Sequence, residues 1–214
     1  YQNNALMTTD DIKPRLDEIG GPSAFNHVPA GWAHAMNTPY QWSKIVASHW
    51  GGTRTGMVAR YPHRIPAGEI RSQFTHVNDV MPTILDIVGI PEPQQVNGIT
   101  QRPLEGVSFT YAIDDAGADE RHHTQYFEIG GNRGIYCDGW TAVTQHWLPW
   151  PDPDDHVPAL EDDPWELYGP DDWTQARDLA AEQPAKLREL QERFLIEGAK
   201  YNVLPIDDRQ RERF

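Results

Sequence analysis

A single cysteine, Cys137, stands among 214 residues. One thiol excludes an internal disulfide and a cysteine-rich zinc site. Positive charge is also scarce: 18 Lys and Arg face 32 Asp and Glu, for a net charge of −14. Phosphate backbones are bound by a basic face, so nucleic acid is not the expected partner. The acidic excess instead suits a chain that resists self-association. No apolar run approaches the roughly 20 residues that a membrane-spanning helix needs. A hydrophobic content of 38 % suffices for a core without being generous. The first residue is Tyr1, so the lack of a leader-like segment carries no information. Glycine and proline, by contrast, are plentiful at 17 and 18. Much of the chain is therefore expected to be ordered loop rather than long helix.

The densest stretch runs from residue 39 to 56. It holds Lys44, His49, Trp42, Trp50, Arg54 and the pair Gly51-Gly52. Glycines let a backbone approach a ligand or take positive φ. A lysine just before them can place an ammonium over an oxyanion. On the residues alone, the plainer reading is an ordinary loop with a solvated Lys44. That loop would lead into a strand at 57–61, closed by Pro62.

Elsewhere the pattern reads as alternating short elements. Thr9-Asp10-Asp11 offers a helix start, with Ile12, Leu16 and Ile19 at helical spacing and Gly20-Gly21-Pro22 as the stop. Residues 22–56 read as a long irregular segment, which in a compact domain is often a binding loop. It carries His27, His34 and His49. A three-histidine metal site is conceivable there, but the spacing lacks the close, face-matched pattern of metal ligands, and packed loop histidines are the simpler reading. Val77, Val80, Met81, Ile84, Leu85 and Val88 make a broad apolar helix face between Asp79 and Gly89, expected to pack on a sheet. Residues 91–121 read as loop, with Asp114-Asp115 as a solvated turn rather than a working carboxylate pair.

After residue 122 the period changes to strands. Residues 123–129 alternate, and Asp138-Gly139 joins 133–137 to 140–144 as a two-residue hairpin. Cys137 lies inside this hairpin and reads as structural. Residues 165–168 form a further short strand. A helix opens at Pro184 with Leu187, Leu190, Phe194 and Tyr201 on one face. The hairpin, strand and helix make a small α+β unit with an antiparallel sheet.

The run from Gly31 to Pro39, with Lys44 and Ala47-Ser48-His49-Trp50-Gly51-Gly52-Thr53-Arg54, resembles the sulfate-binding lysine segment of type I sulfatases in the alkaline-phosphatase superfamily. It is most similar to the bacterial arylsulfatase branch. The commonest sulfatase pattern has Tyr-Glu where His49-Trp50 stand, with its lysine one residue closer; the arylsulfatase branch shares the longer spacing. Residues 76–86 resemble the helix that covers that family's central sheet. Residues 103–109, 165–168 and 199–205 also have counterparts.

The resemblance implies an α/β, alkaline-phosphatase-like fold. Residues 1–115 would be the C-terminal part of the catalytic α/β domain, and 116–214 a small C-terminal α+β subdomain. It implies hydrolysis of aryl or alkyl sulfate esters, a small-molecule sulfate ester as partner, Lys44 on a sulfate oxygen and His49 as a second site residue. Arg54 reads as structural, and Trp42 and Trp50 fit either an aryl pocket or the core.

That family uses a formylglycine made from Cys or Ser in a Cys/Ser-x-Pro-x-Arg motif, and a calcium held partly by an Asp-Asn-Gly segment. Cys137 is followed by Asp138-Gly139-Trp140, and no Asp-Asn-Gly occurs. The expectation is a C-terminal fragment whose formylglycine, calcium ligands and N-terminal half lie outside this chain, so Tyr1 and Phe214 read as cuts. A phosphate or phosphonate monoester hydrolase of the same superfamily, or a non-catalytic binding module, stays open on the residues present.

Overall fold

The computed structural model describes residues 8–24, 28–65, 67–149 and 158–208. The chain divides into two compact units. One comprises residues 1–54, 126–135 and 140–214; the other comprises 55–125 and 136–139.

In the first unit, α1 (Thr9–Ile12) is shorter than the sequence suggests. Its cap is Thr8, which accepts from Asp11 N, and Asp11 reaches back to Thr8 N. Pro14 ends it, because a proline has no amide for the next helical bond. The chain tightens into a 3₁₀ turn over Lys13–Glu18 instead. Leu16 and Ile19 stay substantially exposed. Residues 30–37, read as irregular, form α2 (Ala30–Asn37). A third, one-turn helix, α3 (Trp50–Thr53), contains the Gly-Gly pair.

The second unit corrects two expectations. Residues 57–61 are not a strand: they pair with no neighbour among the described residues, and Val58 is 98 % exposed. A strand exists only through a partner's ladder, so local β propensity cannot make one. The helix α4 (Val80–Val88) does form and stops at Gly89 in the left-handed region at φ 68°. Among the described residues, however, no sheet packs on its apolar face. Val77, Met81, Ile84 and Val88 are exposed, while Val80 and Leu85 are half-buried. The buried side is Thr83, whose hydroxyl donates to Asp79 O (2.6 Å) and accepts from Phe109 N (3.0 Å). Periodicity identifies an apolar face but says nothing of what covers it.

Two further elements arise in the stretch read as loop. The hairpin β1 (Gln95–Val96) and β2 (Ile99–Thr100) turns on Asn97-Gly98, both at positive φ. Helix α5 (Thr110–Asp114) follows. Asp114 is not merely solvated: both carboxylate oxygens accept from Arg64, at 3.0 and 2.6 Å.

Asp79 is the fixed point of this unit. It is 1 % exposed and accepts from His76 N, Val107 N and His122 Nδ1, all within 2.9 Å. Burial pushes its carboxyl up, and the His122 and backbone hydrogen bonds outweigh that, holding it below the ordinary 3.8. Burial pulls His122 down, and Asp79 outweighs that, raising it above 6.5. The Asp79 share of stability is present above pH 3.8 and lost as pH falls through the folded value. The His122 share is present below pH 6.5 and lost as pH rises through its folded value. Thermal melts should therefore show the pair's full contribution only between about pH 4 and pH 6.5. The wild-type advantage over His122→Gln should shrink on both sides of that window; a constant difference across pH would refute it.

The strands expected after residue 122 do form. β3 (Thr124–Ile129), β4 (Asn132–Cys137), β5 (Trp140–Thr144) and β6 (Glu166–Tyr168) form one sheet in that order. Asp138 and Gly139, both at positive φ, turn β4 into β5. β5 and β6 pair antiparallel, with Thr141 opposite Tyr168 and Val143 opposite Glu166. In the first unit the helix α6 (Pro184–Lys200) buries Leu190 and Phe194. Phe194 meets Tyr126 and Trp165 edge-on, at 6.4 and 5.9 Å. Trp165 shares the parity of Leu167, so α6 lies on that sheet face, and Glu166 and Tyr168 point to the other.

Candidate functional site

The Lys44 segment is a closed loop in the first unit, pinned at its base. Asn37, at the end of α2, donates from one Nδ2 to both Trp42 O (2.8 Å) and Gly51 O (2.7 Å). Gly51 N donates to Gln41 O at 3.0 Å. A Cβ on Gly51 would overlap the carbonyl oxygens of Gln41 and Trp42, and one on Gly52 that of Val46. These two glycines are therefore needed for close backbone approach, and neither takes positive φ. The positive φ falls on non-glycine residues that bracket the lysine: Trp42 at 63° and Ile45 at 81°. Left-handed backbone at bulky or β-branched residues is costly and persists only where the surroundings enforce it.

Lys44 sits at the exposed tip of this loop. The returning limb is buried: Val46 and His49 are 0 % exposed and Ser48 is 2 %. It lies on the sheet face of Glu166 and Tyr168, close enough that a Cβ on Gly134 of β4 would press on Ser48 O. His49 has both ring nitrogens occupied, Nδ1 with Ser48 Oγ at 2.9 Å and Nε2 with Glu166 Oε2 at 3.0 Å. The His49 hydrogen bond is the main cause holding the Glu166 carboxyl below its ordinary value, against the opposing effect of burial. An ionised carboxylate only accepts, so Nε2 carries the hydrogen in this bond. Tyr168 donates its hydroxyl to the same Glu166 oxygen, and burial followed by Glu166 raises its phenol. Gln41 Nε2 donates to Tyr168 Oη (3.1 Å) and to Gln175 O. Gln175, 0 % exposed, accepts from Trp50 N at 2.6 Å and donates to Thr141 Oγ1 at 3.0 Å.

The remaining expected residues fall as follows. Arg54 donates to Trp173 O (3.4 Å) and lies over the rings of Tyr40 and Trp50, at 5.4 and 5.9 Å. Trp42 is half-buried, its ring 6.3 Å from that of His49. His34 is exposed on α2, and His27 lies outside the described residues. Neither His34 nor His49 enters the one group of three metal-capable side chains among the described residues, Glu120, His123 and Asp138. Ordinary bonds account for that group. His123 Nδ1 pairs with Asp138 at 2.8 Å, and Glu120 accepts from Tyr136 Oη and Phe74 N. Two carboxylates and an imidazole do not fit calcium, which takes six to eight oxygen ligands. Cys137 is buried beside Thr124 Oγ1. Sequence reasoning missed Gln41, Glu166, Tyr168 and Gln175. For Glu166 and Tyr168 the only local signal was the strand-like run 165–168, and nothing in it points to a histidine 117 positions before Glu166.

The structure thus defines a mixed α/β protein in which a lysine-bearing loop is anchored on an antiparallel sheet. Residues 3–90 match the sulfatase family model, which bears out the resemblance to sulfatases. A curated Schizosaccharomyces pombe protein described as an uncharacterized sulfatase is 26 % identical over 200 residues, covering 90 % of this chain and 33 % of that protein. The chain thus spans about a third of that relative's length. A structure solved in work on glycosaminoglycan metabolism by Bacteroides thetaiotaomicron, designated a 6S-sulf protein, aligns with TM-score 0.50 and 18 % identity, over 73 % of this chain and 31 % of that one. At that identity the likeness concerns the fold, which is similar to that of sulfatases. A protein solved with its substrate D-glucosamine-2-N,6-O-disulfate aligns at TM-score 0.46 and 23 % identity, over 71 % of this chain and 29 % of that one. No helix among the described residues is long and apolar enough to cross a membrane.

Proposed function

We propose that this chain supplies the lysine arm of an arylsulfatase-type sulfuric ester hydrolase acting on aryl or alkyl sulfates. The observation that carries the reading is the exposed Lys44 on a loop pinned at its base, between two left-handed residues. Sulfate transfer develops negative charge on non-bridging and leaving oxygens, and a preorganised ammonium at such a site stabilises it. His49, enclosed by Ser48 and Glu166, acts as a hydrogen-bonding support rather than a substrate contact. Residues 1–115 correspond to the C-terminal part of the catalytic domain and 116–214 to the small subdomain. The formylglycine nucleophile and the calcium ligands come from residues outside these 214. Calcium, when bound, neutralises sulfate charge; no step on this chain's residues depends on its placement.

The 214-residue chain by itself should release no alcohol from an aryl sulfate and should bind calcium no better than a generic acidic surface. Turnover by the pure chain would overturn the division of labour. The Lys44 role is tested by substitution in an enzyme that carries this chain and turns over, as argued in the Discussion.

A further inference from the structure

Glu166 stands far from Lys44 in sequence and touches no expected substrate group. Its carboxylate nevertheless closes a continuous chain of hydrogen bonds around the lysine loop. One Glu166 oxygen takes His49 on the loop's buried limb and the hydroxyl of Tyr168. Tyr168 accepts from Gln41 at the loop's entry. Gln41 also donates to the backbone of Gln175, and the Gln175 side chain accepts from Trp50 N at the loop's exit. Gln175 is itself held at φ 56° and tied to β5 through Thr141. Entry, return limb and exit of residues 41–50 thus meet on one face of the small sheet, while Lys44 itself is exposed.

We infer that Glu166, with Tyr168 and Gln175, is a positioning group that fixes the conformation of the Lys44 loop from the C-terminal sheet. Hydrogen bonds to an ionised carboxylate are about twice as strong as neutral ones, so this oxygen is the strongest tie between β6 and the loop. The two left-handed residues beside Lys44 need such a tie, since a strained backbone relaxes once its surroundings stop enforcing it. The inference has consequences for catalysis only if the Lys44 reading holds. The hold on the loop can be measured without it.

The first measurement is amide hydrogen exchange of the 214-residue chain, following peptides over 41–51 and over α6. Glu166→Ala should speed exchange of the 46–51 amides by about tenfold or more, the scale of a lost charge-assisted hydrogen bond. The α6 amides should keep their protection. Glu166→Gln, which can still accept from Tyr168, should recover part of the difference. Unchanged loop exchange would overturn the inference. If Glu166→Ala speeds exchange everywhere, Tyr168→Phe, which removes one hydroxyl, decides: loop-confined acceleration supports the inference, and uniform or absent acceleration refutes it. The second measurement is a double-mutant cycle on turnover in an active enzyme carrying the chain. A residue acting through Lys44 should lower kcat alone yet add nothing in a Lys44→Ala background. Additive losses would make Glu166 a general stability residue. Loop-confined exchange together with normal Lys44→Ala turnover would leave the positioning intact and refute the sulfatase reading alone.

Discussion

Replacing Asp163 by Ala should cost about 3–5 kcal/mol of stability, the usual result of leaving one member of a buried ion pair alone. The Asp163 carboxylate is fully enclosed. It accepts from the Arg133 guanidinium and from His146 Nδ1, at 2.9 and 3.0 Å in the latter case. Arg133 itself is 7 % exposed and lies 5.4 Å over the ring of Trp165. Its guanidinium also donates to Leu160 O at 2.9 Å. Removing Asp163 leaves this charge against an aromatic ring, with one carbonyl acceptor and only the weaker field of Glu128 to offset its burial. The guanidinium stays protonated, so it cannot escape the cost by neutralising. The penalty belongs to the unpaired ion and not to the pair. The double variant Arg133→Met/Asp163→Leu should therefore recover much of the loss, since a buried pair and an apolar replacement are often of equal stability. Urea unfolding of the three variants measures both effects. A single Asp163→Ala variant within 1 kcal/mol of wild type would show that solvent reaches Arg133 more easily than its burial indicates.

The elements that could be read from the chain are those whose stabilisation is local. The Asp138-Gly139 turn demands two residues at positive φ, and the sequence offers a pair suited to it. Pro184 and the spacing of Leu190 and Phe194 mark α6, and Gly89 marks the end of α4. Asn97-Gly98 carried the same hairpin signal, yet its strands are two residues each, too short for alternation to show. Helix α2 was hidden because Gly31, Trp32 and His34 break up its alanines and no side chain caps its start. The failures at residues 57–61 and on the face of α4 share one cause. Both are stretches whose structure depends on a covering surface, and sequence pattern reports the demand for such a surface without supplying it. The candidate site divides in the same way. Lys44, the glycines and His49 are neighbours along the chain and could be found by motif. Glu166, Tyr168 and Gln175 reach them only through the tertiary fold, and a glutamate in a short strand gives no hint of that role.

On the proposed sulfuric ester hydrolase reading, Lys44→Ala in an active enzyme that carries this chain should lower turnover of an aryl sulfate by roughly 10²–10³-fold, the usual loss when one oxyanion donor is removed. The chemistry asks for a compact cation whose position does not have to be found anew in each cycle. The loop meets that requirement through Asn37 at its base and left-handed Trp42 and Ile45 beside the lysine. Because the ammonium is needed where charge develops, the loss should fall on kcat more than on KM. Stability should hardly change, since the side chain is exposed and contributes little packing. Lys44→Arg should restore the charge but only part of the rate. A planar fork cannot occupy the position of a tetrahedral ammonium at the end of a four-carbon stem. Steady-state kinetics paired with a thermal melt of each variant separates the outcomes. Near-wild-type kcat in Lys44→Ala would make the lysine an ordinary surface residue and remove the best local support for sulfate-ester chemistry. A lowered kcat with an unchanged melt places the effect in the transition state. A lowered melt would instead mean that Lys44 helps hold residues 41–51 together, contrary to its exposure at the tip of the loop.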